Sequence, residues 1–176
     1  MGYKIIAQLF GIAAMAALFI SYQQTSRRRL ITGKLCADLC WSVHYLCLAA
    51  YGGAIPNFIG IFRELVFINR EEKKWAAHIF WPVIFILLNW LLGIRTFASA
   101  INILPIAAST FVTISLWCRN PRLTKIISLP VSVTFMIYDL FVGSYVGMVN
   151  EGIAIFSIIL YFVKEFKETK GEKNNV

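Results

Sequence analysis

Residues 43–64 read VHYLCLAAYGGAIPNFIGIFRE, and 94 residues later, at 137–158, the chain reads IYDLFVGSYVGMVNEGIAIFSI. Tyr51 and Gly53 fall on Tyr145 and Gly147, Asn57 on Glu151, and Ile59, Ile61 and Phe62 on Ile153, Ile155 and Phe156. Extended without gaps, 21–73 against 115–167 holds 11 identities in 53 columns, where about four or five are expected of so apolar a composition. The match by identity is weak. Its weight comes from what it superposes: a basic loop on a basic loop, a Tyr-x-Gly turn on a Tyr-x-Gly turn, and a charged exit on a charged exit. Two copies of one three-helix unit are expected.

The 176 residues are 59% hydrophobic and 15% charged, with a mean hydropathy of +0.69. A soluble globule of that size cannot hide so much apolar surface, so the lipid bilayer is the expected surrounding. The net charge of +8 lies in short clusters between long apolar runs. That is the pattern of membrane orientation signals rather than of a nucleic-acid face, and no nucleic-acid partner is expected. Cys36, Cys40, Cys47 and Cys118 sit inside or beside apolar runs. They suit small packing residues better than a disulfide framework or a metal site, and no cofactor is expected.

In chain order, 5–22 is an apolar run long enough to cross about 30 Å of hydrocarbon as a helix. A signal peptide would carry its charge before the run and a small-residue cleavage site after it. Here only Lys4 precedes and SYQQTSRRR follows, which favours a retained helix. Arg27, Arg28, Arg29 and Lys34 make a basic loop. The second span, 35–51, holds Asp38 and His44 and is turned over by Gly52 and Gly53. The third opens at Pro56, carries Arg63 and Glu64, and leaves through Arg70, Glu71, Glu72, Lys73 and Lys74, with Trp75 at the interface. The fourth, 77–94, has no counterpart in the echo and reads as a linker helix. A polar connection, RTFASA, leads to the fifth, 101–118; the sixth, 126–143, contains Pro130, Tyr138 and Asp139; the seventh, 150–163, starts with Asn150 and Glu151. KEFKETKGEKNNV closes the chain as a solvated, mobile tail.

The expected fold is all-α, a polytopic bundle of seven transmembrane helices. With the N-terminus outside and the C-terminus inside, every basic cluster falls on the cytoplasmic side, leaving Lys4 and Arg95 outside. Three helices precede the linker, so one extra span makes the two triplets parallel, a 3+1+3 plan. The units are a first triplet at 1–75, a linker helix at 76–98, a second triplet at 99–167 and a cytoplasmic tail at 168–176.

The segments AQLFGI near the start, VHYLCLAAYGGAIPNFIGIFRELV, ILPIAASTFVTISLWC and MIYDLFVGSYVGMVNEG together resemble the bacterial inner-membrane proteins of the YgjV type. The resemblance implies a multi-pass protein of the bacterial inner membrane and carries no established biochemical role. More distantly, the 3+1+3 plan is similar to the SWEET sugar facilitators and the PQ-loop group that includes the KDEL receptor. The Pro-Gln pair that names that group is absent: the corresponding positions hold Gln23-Gln24 and Trp117-Cys118.

A charge near the bilayer centre normally faces a partner or a wet cavity. In these spans His44, Arg63, Glu64 and Asp139 fall near mid-depth, while Asp38, beside Lys34, reads as interfacial. In the echo His44 aligns with Tyr138 and Tyr45 with Asp139, so both second helices present a polar pair at one level. Asn57, Gly60 and Glu64 share one helical face, the glycine allowing close approach. The functional reading is a central site with Arg63 as an anion anchor, His44 and Asp139 as proton or hydrogen-bond partners, and Asn57 and Glu151 as matched gates. In the structural reading Arg63 pairs with Glu64, Asp139 or another carboxylate, and the polar groups only fix helix register. Two mid-depth carboxylates facing one arginine leave room for proton coupling.

The leading expectation is a small-molecule transporter or facilitator, for an anionic or hydroxyl-bearing solute. The alternative is a membrane binding or assembly protein with a structural polar cluster. A homodimer is compatible with either. With no H-E-x-x-H and no G-x-S-x-G, the chain is not expected to be an enzyme.

Overall fold

The computed structural model describes residues 2–22, 26–95, 99–118 and 121–173. Among the described residues the regular structure is all helical: α1 (Gly2–Tyr22), α2 (Arg27–Cys47), α3 (Tyr51–Ile68), α4 (Phe80–Ile94), α5 (Ile103–Trp117), α6 (Pro121–Val142) and α7 (Tyr145–Lys173). Short 3₁₀ turns at Lys74–Ala77 and Ala100–Asn102 lead into α4 and α5. The expected seven helices are present, with shifted boundaries: α6 and α7 each begin five residues earlier than expected, at Pro121 and Tyr145, and α2, α3 and the end of α7 shift as well.

α2 begins at Arg27, so the basic stretch read as a loop forms its first two turns. Arginine and lysine are good helix formers whose long stems can carry their charge out to the interface. α3 begins at Tyr51, and Pro56 lies inside it rather than at its start. The chain reverses at Ala49, with φ 55°, and not at Gly52 and Gly53. Those two glycines are committed to packing. A Cβ on Gly52 would stand 2.7 Å from Asn102 Oδ1, and one on Gly53 2.8 Å from the Tyr138 ring and 3.0 Å from that of Tyr45. At the other end of the chain α7 runs through 164–173 instead of giving way to a mobile tail, as the helix propensity of alternating Lys and Glu allows. Gln23, Gln24, Arg119 and residues 96–98 of the polar connection lie outside the described residues.

The helices run up and down in strict alternation. At one end Ser21 Oγ donates to Leu30 O (2.5 Å), Arg28 pairs with Glu72 (2.8 Å), and the Arg70 guanidinium lies 3.6 Å over the Trp117 ring. These contacts gather the end of α1, the start of α2 and the ends of α3 and α5. At the opposite end Val146 N donates to Gln8 Oε1 (3.3 Å) and Gly52 abuts Asn102. α2 packs between α1 and α3, and α6 between α5 and α7; α3 meets α5, α7 meets α1, and α4 lies on α3 and α5. The distribution of side chains is inside-out. Buried positions include Asp38, His44, Arg63, Glu64, Asn89, Thr113 and Asp139, while α4 alone exposes Phe80, Val83, Leu87, Leu88, Leu91, Leu92 and Ile94. α4 is held by Asn89, whose Nδ2 donates to Ile106 O (2.8 Å), and by Gly93, against which Ile106 packs. In a lipid surrounding such interhelical polar contacts and small residues supply the association that the hydrophobic effect cannot. α1 (Gly2–Ser21) and the segment Ala100–Trp117 are long and apolar enough to cross a membrane.

The reversal at Ala49 has a twin 94 residues on, where Gly143 takes φ 72°. Ala50 N donates to Tyr45 O (2.8 Å) and Ser144 N to Asp139 O (2.9 Å), and α3 and α7 start at Tyr51 and Tyr145. The left-handed conformation costs a residue with a Cβ roughly 1–2 kcal/mol. Gly143 has open space around it, so its exchange reports backbone strain alone. Ala49→Gly is expected to stabilise the protein by about 1 kcal/mol and Gly143→Ala to destabilise it by about as much. Thermal unfolding in a mild detergent checks both signs.

Candidate functional site

Two polar tiers lie in the bundle, and the first is charged. On α3 the Arg63 guanidinium is 2% exposed; its Nε and Nη2 donate to Glu64 Oε1 (3.3 and 2.9 Å), and its Nη1 donates to Thr113 Oγ1 on α5 (3.0 Å). Nη2 also stands 3.6 Å from Asp38 Oδ2 on α2. Lys34, one turn before Asp38, donates to Asp38 Oδ1 (2.9 Å) and lies 3.9 Å from Glu64 Oε1. Gly60 is what lets α2 bring Asp38 this close, because a Cβ there would overlap the carboxylate. The tier borders a cavity of about 50 Å³ lined by Lys34, Asp38, Pro56, Asn57, Arg63, Ser109, Val112 and Phe135, side chains of α2, α3, α5 and α6. Glu151 on α7 faces Ser132 and feels the Lys34 charge, and accepts from Asn150 Nδ2 at 2.9 Å.

The second tier joins the ends of α2 and α6. Tyr45 OH donates to Asp139 Oδ1 (2.7 Å). Tyr138 OH accepts from Gly53 N (2.8 Å) and donates to Ala50 O (3.3 Å). His44 Nδ1 lies 2.6 Å from Ala7 O and Nε2 2.7 Å from Ser144 Oγ. A carbonyl can only accept, so Nδ1 carries a proton and donates to Ala7 O, while Nε2 shares its hydrogen bond with the Ser144 hydroxyl. Positions 44 and 138, and 50 and 144, correspond in the echo. Each second-helix side chain therefore contacts the other half's turn, His44 reaching Ser144 and Tyr138 reaching Ala50.

The structure does not bring the sequence candidates into one site. Arg63 and Glu64 belong to the first tier with Asn57 at its cavity, whereas His44, Tyr138 and Asp139 belong to the second. The tiers are separated by the two turns from Asp38 to Tyr45 on α2, roughly 10 Å of rise. Asn57 Nδ2 is turned back to Gly53 O (2.8 Å), beside the carbonyl deprived of its donor by Pro56. Of the partners open to Arg63, the bonds fall to Glu64 and Asp38 and not to Asp139. Gly60 does permit close approach, but to Asp38.

Asp38 and Lys34, read from the sequence as an interfacial pair, belong instead to the buried first tier. Asp38 is 2% exposed and sits in the middle of α2. His44 and Asp139, expected at mid-depth, lie three residues from the ends of their helices. Both displacements follow from starting α2 and α6 too late. The i,i+4 spacing of Lys34 and Asp38 was the available signal.

Residues 5–169 match the family Imp-YgjV, described as bacterial inner membrane protein. The chain belongs to that family. It is accordingly a protein of the bacterial inner membrane, which the outward apolar side chains of its helices suit. No curated protein and no solved structure matches the chain.

Removing one member of a buried ion pair costs about 3–5 kcal/mol, because an opposite charge is left uncompensated; replacing both partners by apolar groups is often neutral. Arg63→Ala is therefore expected to destabilise the protein by about that amount, and Arg63→Met with Glu64→Met by clearly less. Chemical unfolding of the two variants in detergent measures the difference.

Proposed function

We propose that this inner-membrane protein is a small-molecule transporter or facilitator, with two parallel triplets, 1–75 and 99–167, moving against each other around the cavity and residues 76–98 as the linker. The observation that carries this reading is the charged tier bordering a cavity between helices of both halves. Helix packing supports the repeat. Exchanging α1 with α5, α2 with α6 and α3 with α7 turns each contact of the ring α1–α2–α3–α5–α6–α7 into another contact of the same ring. The reciprocal bonds of positions 44 and 138 behave in the same way, as contacts across a two-fold axis do. This is the plan of SWEET-like facilitators. The basic ends of α2 and α6 and the basic exit of α3 favour a cytoplasmic C-terminus and an external N-terminus, which puts the second tier at the outer side as a closed gate.

A cavity of about 50 Å³ holds one or two waters, at about 30 Å³ each in the liquid. Drug-sized ligands occupy about 300 Å³ or more, so a solute of that size enters only after the triplets part. The assembly reading, in which the cluster is structural, draws on the bonds that all three Arg63 nitrogens make within the protein.

Liposomes containing the purified protein are expected to take up one class among sugars, organic anions, nucleosides and amines. Arg63→Lys, which keeps the charge but not the planar fork, is expected to lower that uptake ten-fold or more. No uptake in any class, with the variant folded as the parent is, would turn the reading to assembly.

A further inference from the structure

The charged tier has buried acceptors to spare. Each nitrogen of Arg63 already makes one bond, to Glu64 or Thr113, which engages three of its five N–H groups. On the acid side, Asp38 Oδ2 and Glu64 Oε2 are buried without a hydrogen-bond partner, and the two carboxylates face each other. Asp38, nearly wholly buried, lines the cavity. Asp38 and Glu64 face Lys34 and Arg63, and Glu151 also feels the Lys34 charge. Ionised carboxylates only accept; a cationic N–H group would bring both the donors and the charge that their free oxygens suit.

Lys34 shows what such a group looks like. Its ammonium bridges Asp38 Oδ1 and Glu64 Oε1, and its side chain keeps 16% exposure where those of Asp38 and Glu64 keep 2% and 0%. It is the member of the tier that can swing away at least cost. The cavity beside it, about 50 Å³, suits an ammonium head.

We infer that the cavity binds the ammonium head of a small protonated amine between Asp38 and Glu64, with Lys34 as a tethered competitor for the same oxygens. The inference rests on the transport reading for the identity of the site and replaces the expected anion with a cation as its solute. A larger amine enters when the triplets part; ammonium and methylammonium are small enough to take the place of the Lys34 head at the cavity's edge.

The test is a thermal-shift titration of the full-length protein in detergent. Ammonium and methylammonium chloride are compared with sodium and potassium chloride at equal ionic strength, and with sodium acetate and phosphate. A ligand that binds the native state raises its stability by mass action. The expected result is a rise in Tm specific to the two amines, absent in Asp38→Asn, with half-saturation at a several-fold lower amine concentration in Lys34→Met. Should Asp38→Asn not fold, Glu64→Gln takes its place. No rise beyond that given by sodium, a rise with acetate or phosphate alone, or an unchanged half-saturation in Lys34→Met overturns the inference. Liposome uptake separates it from the transport reading: amine binding without uptake sinks transport alone, and uptake of a sugar or anion without amine binding sinks this inference alone.

Discussion

A buried guanidinium constrains the packing of this bundle. Arg63 is far too costly to keep in hydrocarbon without compensation, and its neighbour Glu64 supplies only part of what it needs. The rest comes from other helices: Asp38 from α2, admitted by the missing Cβ at Gly60, and Thr113 from α5. One charge thus fixes the approach of three helices, and Lys34 is drawn in because a second carboxylate is present. The cavity lies where it does because polar groups that satisfy one another at fixed geometry cannot fill space as closely as aliphatic side chains do.

The same solvent explains the outside. In lipid an aliphatic surface loses nothing by exposure, and Asp38 and His44 of α2, Arg63 and Glu64 of α3 and Asp139 of α6 lie buried among the apolar core residues. On α4 Asn89 and Gly93 face inward with Pro82 and Phe85, and the leucines and Phe80 face out. Two polar anchors to α5, Asn89 to Ile106 O and Trp90 to Thr110 Oγ1, hold it beside the ring of six helices.

Much of this was legible in the chain. The echo between residues 43–64 and 137–158 placed Tyr51 and Tyr145, and Gly53 and Gly147, at matching positions, and they occupy matching places in the two turns. Helix number and class followed from apolar runs and charge clusters. What was not legible was depth. Hydropathy marks where a helix is apolar, not where it starts, so the arginines of α2 were set outside it, and Asp38 moved to an edge while His44 moved to the middle. The turn was misplaced for a related reason. Glycine is the usual residue for a positive φ, but Gly52 and Gly53 serve the tertiary contacts of Asn102, Tyr45 and Tyr138, and Ala49 takes the strain instead. Nor could sequence spacing say which of several carboxylates would meet Arg63, since that depends on the rotation of α2 against α3.

The second tier uses near-symmetry in a way that strict symmetry would forbid. Two copies of Asp139 facing each other would repel, and two copies of Tyr45 would offer no carboxylate to bridge the halves. With one of each, a single bond ties α2 to α6. The reciprocal contacts of His44 with Ser144, and of Tyr138 with Gly53 and Ala50, bring the bonds between α2–α3 and the α6–α7 corner to four, and Val146 to Gln8 adds a fifth from α7 to α1. At roughly 1 kcal/mol net for each hydrogen bond, parting the two helix ends costs on the order of 4 kcal/mol. A ligand must favour one state by about 5.5 kcal/mol to carry an equilibrium from one extreme to the other. The two magnitudes are comparable. In the transporter proposed above, this end would open only against both those bonds and the apolar cluster of Trp41, Tyr45, Ala50, Ala54 and Tyr138.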